Sequence, residues 1–250
     1  MRPLVFAIAL SLSAFAVPAE AAEATGTTGT TATKAVYGWA WSTGGTGIRI
    51  TPMAATYRKP LHTFKAIPGA RELRLDYAKA AFRRVTVACD LKETEGRVAL
   101  DRKGLGSTVC GPGDLTADLA FGPSAVRVEY RGTTAVKINE VLANRPDPRT
   151  ARGTVKRIDD TTVLFTGAGR TLKLGYTNLM TFGRTTRRCG DGWLAGKPVN
   201  ADRHGLGKKP CQSRDFTKAL KSVGHPVLVQ VDYAPQVNEL SGVREVFGDA

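Results

Sequence analysis

The sequence is poor in the residues that enzymes use for acid–base and nucleophilic catalysis. It has only three histidines, His62, His204 and His225, and none has an acidic or nucleophilic residue at the spacing of a known catalytic motif. The motifs GxSxG and HExxH are absent, and no pair of carboxylates stands out. The chain is therefore predicted to be non-enzymatic, and no cofactor is expected.

Cysteine is also scarce, and its pattern does not suggest a metal site, because neither CxxC nor a histidine-flanked cysteine pair occurs. Cys89 and Cys110 are 21 residues apart, and Cys189 and Cys211 are 22 apart. Pairing within each couple is one of three possible connectivities and the most economical one in an exported chain. By the chain-entropy model each such disulfide would stabilise the fold by about 3 kcal/mol.

Long apolar runs are missing beyond the N-terminus, since no later segment approaches the roughly 20 apolar residues that a membrane-spanning helix needs. Residues 1–21 combine Arg2, an apolar run and small residues at Ala19 and Ala21, which is the pattern of a cleavable signal peptide. The protein is predicted to be secreted, with no transmembrane segment. Residues 22–35, mostly alanine, threonine and glycine, predict a flexible leader.

The chain contains one stretch twice. DRKGLGSTVC at Asp101–Cys110 returns as DRHGLGKKPC at Asp202–Cys211. Other matched pairs extend the repeat with an offset that climbs slowly from 99 to 105: Tyr77/Tyr176, Cys89/Cys189, Gly104/Gly205, Asp114/Asp215, Tyr130/Tyr233 and Val141/Val246. Such a drift is typical of a duplicated domain with small loop insertions. We predict two repeats, 36–143 and 152–250, joined by a linker at 144–151.

The second copy shows the repeat unit most simply. Apolar alternation predicts strands at 154–158, 161–165, 171–176, 226–233 and 240–247. A disulfide-closed excursion follows the third strand. A short helix comes next, with Ser213 or Asp215 as its predicted N-cap. Five strands bury their inner face by closing into a barrel with the helix at one end.

The predicted fold class is thus mainly β (β-rich α+β), with two tandem five-stranded barrels in the order β-β-β-α-β-β and one internal disulfide in each. This order resembles the oligonucleotide/oligosaccharide-binding barrel, the OB-fold; an open α+β sandwich is the alternative. The first copy adds a 16-residue insertion near Pro52–Pro68. Positions that are apolar in both copies predict the two cores: Ile48/Val163, Ile50/Phe165, Leu73/Leu172, Leu75/Leu174, Val126/Val229 and Val128/Val231.

Positive charge is in excess and evenly spread. The net charge is +14; residues 36–151 carry 18 basic and 11 acidic side chains, and residues 152–250 carry 16 and 9, so each part contributes +7. An excess that pervades the molecule favours an anionic polymer or cell surface as partner.

The outward positions of the first three strands differ between the copies and suggest a ligand-binding face. In the first copy Trp39, Trp41, Arg49 and Arg74 should point away from the core, and in the second copy Lys156 and Lys173 occupy the matching face. Aromatic rings beside guanidinium groups are typical of sites that bind single-stranded nucleic acid, and sugars stack on indoles in a similar way. Alternatively, the insertion covers the two indoles with its large side chains Met53, Tyr57, Leu61 and Phe64.

The two GLG segments are predicted to be turns beside the disulfides, because they lack the glycine spacing of a phosphate-binding loop. Asp101 and Asp202, which precede them, are predicted to form local ion pairs or to cap these turns.

These observations predict a secreted, basic, non-enzymatic protein that binds an anionic polymer: a cell-envelope polyanion, an acidic glycan or extracellular nucleic acid. A second hypothesis is a secreted protease inhibitor. RRVTVAC at Arg83–Cys89, PVLVQVDY and VREVF resemble strands of the secreted subtilisin-inhibitor family, although that family's second disulfide has no counterpart here. A third hypothesis is an envelope-associated structural protein that bridges partners.

Overall fold

Two repeated series of strands dominate the structure, a computed structural model that describes residues 32–91, 96–167 and 169–247. The predicted signal peptide and residues 22–31 of the predicted leader lie outside the described residues. Strands account for 50% of the residues and helices for 8%, so the predicted class, mainly β, is confirmed. No helix in the described part of the chain is long and apolar enough to cross a membrane.

Within the described residues, the first series contains nine strands and one helix: β1 (Lys34–Gly44), β2 (Gly47–Ile50), β3 (Met53–Arg58), β4 (Leu61–Ala66), β5 (Leu73–Asp76), β6 (Ala81–Arg84), β7 (Thr108–Cys110), α1 (Pro112–Leu119), β8 (Ser124–Arg131) and β9 (Thr134–Glu140). The described part of the second series contains seven strands and one helix: β10 (Arg149–Arg157), β11 (Thr162–Gly167), β12 (Arg170–Gly175), β13 (Thr181–Arg184), β14 (Lys209–Gln212), α2 (Ser213–Lys221), β15 (Val227–Ala234) and β16 (Glu239–Glu245).

Each series closes on itself. In the second, β10, β11, β12, β16 and β15 form a ring of hydrogen-bonded neighbours, in which only the contact of β12 with β16 is parallel. In the first, β1, β2, β5, β9 and β8 form the same ring, and β5 and β9 are parallel. The strand order of the OB-like barrel is therefore confirmed, and closure excludes the open sandwich because no edge remains within the ring.

The predicted core pairs fill the two barrels. All are buried except Leu73 and Leu172, which are partly buried and pack against the same cores. The helices contribute Leu115 and Leu119 to the first core, and Phe216, Ala219 and Leu220 to the second. The disulfides Cys89–Cys110 and Cys189–Cys211 form as predicted, one in each half.

Neither predicted N-cap of α2 is right, because the observed one lies one position before Ser213 and three before Asp215. Gln212 is its N-cap, and the Asp215 carboxylate accepts a hydrogen bond from the Gln212 backbone N–H at 3.0 Å. In α1 Asp114 does the same for Gly111 at 2.8 Å. Asp215 and Asp114 thus satisfy the backbone at the start of each helix from its third position, as glutamate does in a capping box.

The insertion in the first copy is a hairpin. Strands β3 and β4 pair with each other, and β3 joins the barrel where Met53 lies opposite Tyr37 of β1. Strand β10 already begins at Arg149, within the predicted linker 144–151, and there it pairs with Tyr233 of β15. All described residues belong to one compact unit.

Candidate functional site

The predicted exposure of Trp39 and Trp41 is wrong. Both project from the outer face of β1, as strand alternation requires, but only 9% and 5% of their surfaces are accessible. Trp39 is covered by the hairpin: its ring lies 5.8 Å from that of Phe64, edge to face, and Met53 belongs to the same apolar cluster. The alternative interpretation, a covering insertion, is right for Trp39. Trp41 has a different cover, which the repeat pattern did not reveal.

The second barrel covers Trp41. The indole Nε1–H donates a hydrogen bond to the backbone carbonyl oxygen of Val237 at 2.8 Å. The ring also lies so close to Gly175 of β12 that a Cβ atom there would come within 2.9 Å of it. The first copy has Asp76 at the position matching Gly175. The two copies have therefore diverged where they meet, because only glycine leaves room for the indole.

A small apolar cluster extends this junction. It joins side chains of the first barrel to Ala234 and Val237 of the second: Trp39, Met53, Leu105, Ala125 and Val141. Val237 lies in the β15–β16 connection, where the repeat offset rises from 103 at Tyr130/Tyr233 to 105 at Thr134/Glu239. The two extra residues of the second copy thus fall in the loop that packs against the first barrel.

Three of the six candidate residues meet at one carboxylate. Glu72 lies 3.3 Å from the Arg49 guanidinium, 3.5 Å from that of Arg74 and 3.0 Å from Lys173 Nζ of the second barrel. Burial alone would raise the pKa of Glu72, but the hydrogen bonds and charges of Lys173 and Arg49 together hold that pKa below its ordinary value. The predicted outer faces of both copies therefore converge, and Glu72 joins them.

Arg49 is buried within this ion cluster. Its guanidinium lies over the Trp41 ring, 5.0 Å from the centroid, which is cation–π geometry. Burial lowers the pKa of Arg49 from its ordinary value, and the nearby carboxylates of Glu72 and Asp159 oppose that shift. Arg49 consequently serves the junction, whereas the side chain of Arg74 is 71% exposed. Lys156 is exposed elsewhere on β10 and does not join the cluster.

An open groove of about 740 Å³ runs between the two barrels, directly beside this cluster. Its first-barrel wall includes the β1–β2 turn, Arg49, Arg74 and the end of α1; its second-barrel wall includes Arg157, the turn at 159–162, Lys173 and residues 176–178. A cleft of about 430 Å³ adjoins it along α2 and shares part of the second wall. Together they form a continuous surface, which we call the inter-barrel groove.

Cations outnumber carboxylates in the inter-barrel groove. Among the described residues, seven basic side chains line it, against Asp159 and Asp160: Arg49, Arg74, Arg157, Lys173, Arg214, Lys218 and Lys221. Asp160 is already paired, with Arg157 at 2.6 Å and Lys221 at 2.8 Å. The hydrogen bonds from Lys221 and Arg157 lower the pKa of Asp160, so this carboxylate stays ionised. Arg214 and Lys218 are exposed and form no salt bridge with any described residue.

The cations of α2 escaped the sequence prediction, although the repeat contains the signal. At the offset of 101 that relates the helices, these three residues correspond to Gly113 and Ala117 of α1 and to its C-cap, Ala120. The sequence prediction considered only the outward residues of the strands and therefore did not include this difference in charge between the two helices.

A buried arginine–glutamate contact in each barrel was also missed. Arg184 and Glu245 are both fully buried, with Arg184 Nη2 2.8 Å from Glu245 Oε1. Arg184 also donates to the carbonyl oxygens of Cys189, Asp191 and Gly192 at 2.6 to 2.7 Å. The first barrel repeats the arrangement with Arg84 and Glu140. These pairs anchor the disulfide loops and do not reach the inter-barrel groove.

The Gly-rich loops are turns, as predicted. Asp202 Oδ1 accepts hydrogen bonds from the backbone N–H groups of His204 and Leu206 at 2.8 and 2.9 Å, and Asp101 does the same for Lys103 and Leu105. The N–H groups that would hold a phosphate are therefore occupied.

In the part of the chain that the structure describes, two sets of potential metal-ligating side chains recur at matching positions: Cys89, Cys110 and Asp114, and Cys189, Cys211 and Asp215. In both sets the cysteines are joined in a disulfide and the aspartate caps a helix, so neither set offers a thiolate.

Comparison with known proteins adds no identity: no family model, no curated protein and no solved structure matches the chain.

Proposed function

We propose that this protein is an exported, non-enzymatic binding protein for an anionic polymer, which lies in the inter-barrel groove. The observation that carries the proposal is the charge of the groove. Arg49, Lys173, Arg157 and Lys221 are paired with Glu72 or Asp160, whereas Arg214 and Lys218 are exposed without a salt bridge to any described residue, and the side chain of Arg74 is 71% exposed. A linear polyanion can contact many such cations at once, and each contact releases condensed counterions.

The rigid junction also supports a single site shared by both copies. The Trp41–Val237 hydrogen bond and the Glu72–Lys173 ion pair hold the two walls together before any ligand arrives. Pre-organised walls lower the entropic cost of binding, because the ligand does not have to order them. Export is proposed from the N-terminal sequence. The protease-inhibitor and bridging hypotheses stay predictions, since no feature of the described residues favours them over binding.

The test is the affinity of the mature chain, from Ala22 onward, for fluorescein-labelled heparin, measured by anisotropy between 50 and 200 mM NaCl. We expect log K to fall linearly with log salt, because counterions are released. The double variant Arg214→Gln/Lys218→Gln should bind more weakly and lower the salt slope by about 1 to 2.

The matched control is Lys156→Gln/Arg187→Gln, which removes the same charge from exposed positions outside the groove. It should leave the slope unchanged. Salt-independent binding, or equal loss in the two double variants, would contradict the proposed site.

A further inference from the structure

The inter-barrel groove contains little that could stack on a nucleobase. Trp41 and Tyr176 are the aromatic residues in its described lining, and their accessible fractions are 5% and 3%. Tyr176 packs edge to face on Phe216 at 5.3 Å, and its hydroxyl lies 3.0 Å from that of Thr217. The Trp41 ring is enclosed by Arg49 and Gly175. Proteins that bind single-stranded nucleic acid rely on stacking for about 1 to 3 kcal/mol per base.

The polar lining suits a ligand rich in hydroxyl groups. Thr43 of the first barrel and Asn178 of the second expose hydrogen-bonding side chains to the inter-barrel groove from opposite walls. An amide such as that of Asn178 can both donate to and accept from a sugar hydroxyl. A few placed polar groups of this kind fix the orientation of a bound ligand.

Asp159 distinguishes the candidate polymers most clearly. It is exposed in the groove wall, and its Oδ1 accepts hydrogen bonds from the Thr161 N–H at 2.9 Å and the Thr161 hydroxyl at 3.2 Å. Unlike Asp160, it forms no salt bridge with a described residue. An ionised carboxylate can only accept, so its Oδ2 favours a ligand that donates an O–H. Sugar rings supply such donors, whereas the backbone of DNA has none.

From these features we infer that the polymer is an acidic polysaccharide, one that carries sulfate or carboxylate groups together with free hydroxyls. The inference rests on the proposed function and specifies its ligand. The anionic groups contact the exposed cations Arg74, Arg214 and Lys218, and the ring hydroxyls donate to Asp159 and bond to Asn178. Arg49, Arg157, Lys173 and Lys221 hold the walls in place through Glu72 and Asp160.

The experiment compares three probes at 150 mM NaCl: heparin, poly(dT) of matched total charge and neutral dextran. Heparin should bind at least tenfold more tightly than poly(dT), and dextran should not bind. Asp159→Asn retains the Oδ1 that Thr161 uses but replaces the free acceptor with an N–H donor. It should weaken heparin binding about fivefold, the equivalent of one hydrogen bond. Poly(dT) binding should be unchanged or tighter, because a negative charge is lost.

Asn178→Ala provides a second variant that leaves every charge in place, and it too should weaken heparin but not poly(dT). Both variants are first checked for an unchanged thermal unfolding midpoint. If poly(dT) binds as tightly as heparin and Asp159→Asn tightens both, the polysaccharide inference fails while the proposed function survives. If neither polyanion binds even at 50 mM NaCl, or dextran binds equally well, both fail.

Discussion

The indole of Trp41 donates its N–H to the carbonyl oxygen of Val237, 196 residues later, at 2.8 Å. This one bond joins the first strand of the first barrel to the last loop of the second. The same indole occupies the space above Gly175 and lies beneath Arg49. Trp41 is therefore the centre of the junction that fixes the inter-barrel groove.

Replacing Trp41 should destabilise the whole unit. We expect Trp41→Ala to lower the free energy of unfolding by about 3 to 5 kcal/mol, since a large buried ring leaves a cavity. Trp41→Phe keeps most of the ring but leaves the Val237 carbonyl without a donor, and should cost about 1 to 3 kcal/mol. Urea denaturation gives both values. Lys156 is the matching residue of the second copy and is exposed, so Lys156→Ala is the control and should change stability by less than about 0.5 kcal/mol.

Gly175→Ala should show whether stability depends on the close packing at this glycine or only on the general effect of replacing glycine by alanine. The added Cβ meets the Trp41 ring at 2.9 Å, so the junction must shift, at a cost of about 1 to 3 kcal/mol. Gly113→Ala in α1 is the comparison, because nothing lies within 4 Å of its new Cβ and alanine favours helix by up to about 1 kcal/mol. The midpoint of thermal unfolding should fall for Gly175→Ala and rise for Gly113→Ala. A harmless Gly175→Ala would mean that the barrels do not dock as described.

The buried pair Arg184–Glu245 should behave as a unit. Arg184→Met leaves Glu245 charged and fully buried, which should cost about 3 to 5 kcal/mol. Adding Glu245→Leu should recover part of that loss, because it removes the uncompensated charge. A double-mutant cycle from urea denaturation measures the coupling. Arg187→Met, at an exposed neighbouring position, should have little effect. Additive losses would show that the two side chains do not depend on each other.

Glu140 should make stability fall as pH rises. Burial, followed by the nearby carboxylate of Asp118, raises the pKa of Glu140 to about 7, against the opposing effects of the Val85 N–H and Arg84. Between about pH 4.5 and 7 the folded protein thus holds a proton that the unfolded chain has released. The contribution of Glu140 is complete below pH 4.5 and is lost by about pH 7, amounting to about 3 kcal/mol.

The measurement is the free energy of unfolding across this range for the wild type and Glu140→Gln, taken as a difference. The difference removes other titrating groups such as His62, whose pKa is lowered by burial and whose effect on stability has the opposite pH dependence. Because the pKa of Glu72 is lowered, this residue changes the pH dependence of the free energy of unfolding only below about pH 4.5. A pH-independent difference between the two proteins would contradict the raised pKa of Glu140.

Much of the fold could be predicted because its determinants are local and occur twice. Alternating residues such as Val229 and Val231 set the inward face of a strand within a few positions, and the duplicated cysteines limited the disulfide pairing. The N-cap of α2 was misplaced because Gln212 fills this position without a side-chain hydrogen bond to the helix, and the Asp215 side chain accepts a hydrogen bond from the Gln212 backbone instead. The hairpin β3–β4 was recognised only as an insertion, because the second copy has no matching segment with which its residues could be compared.

By itself, the sequence determined two closed barrels, their cores, their disulfides and an even excess of positive charge. Only the tertiary structure decided which outward residues meet water. Trp41 points away from its own core, yet the second barrel buries it, and Lys173 reaches Glu72 of the other copy. The periodicity within one copy fixes the direction of a side chain relative to its own sheet. What covers that side chain depends on how the two barrels dock, and this is set by contacts between residues far apart in the chain.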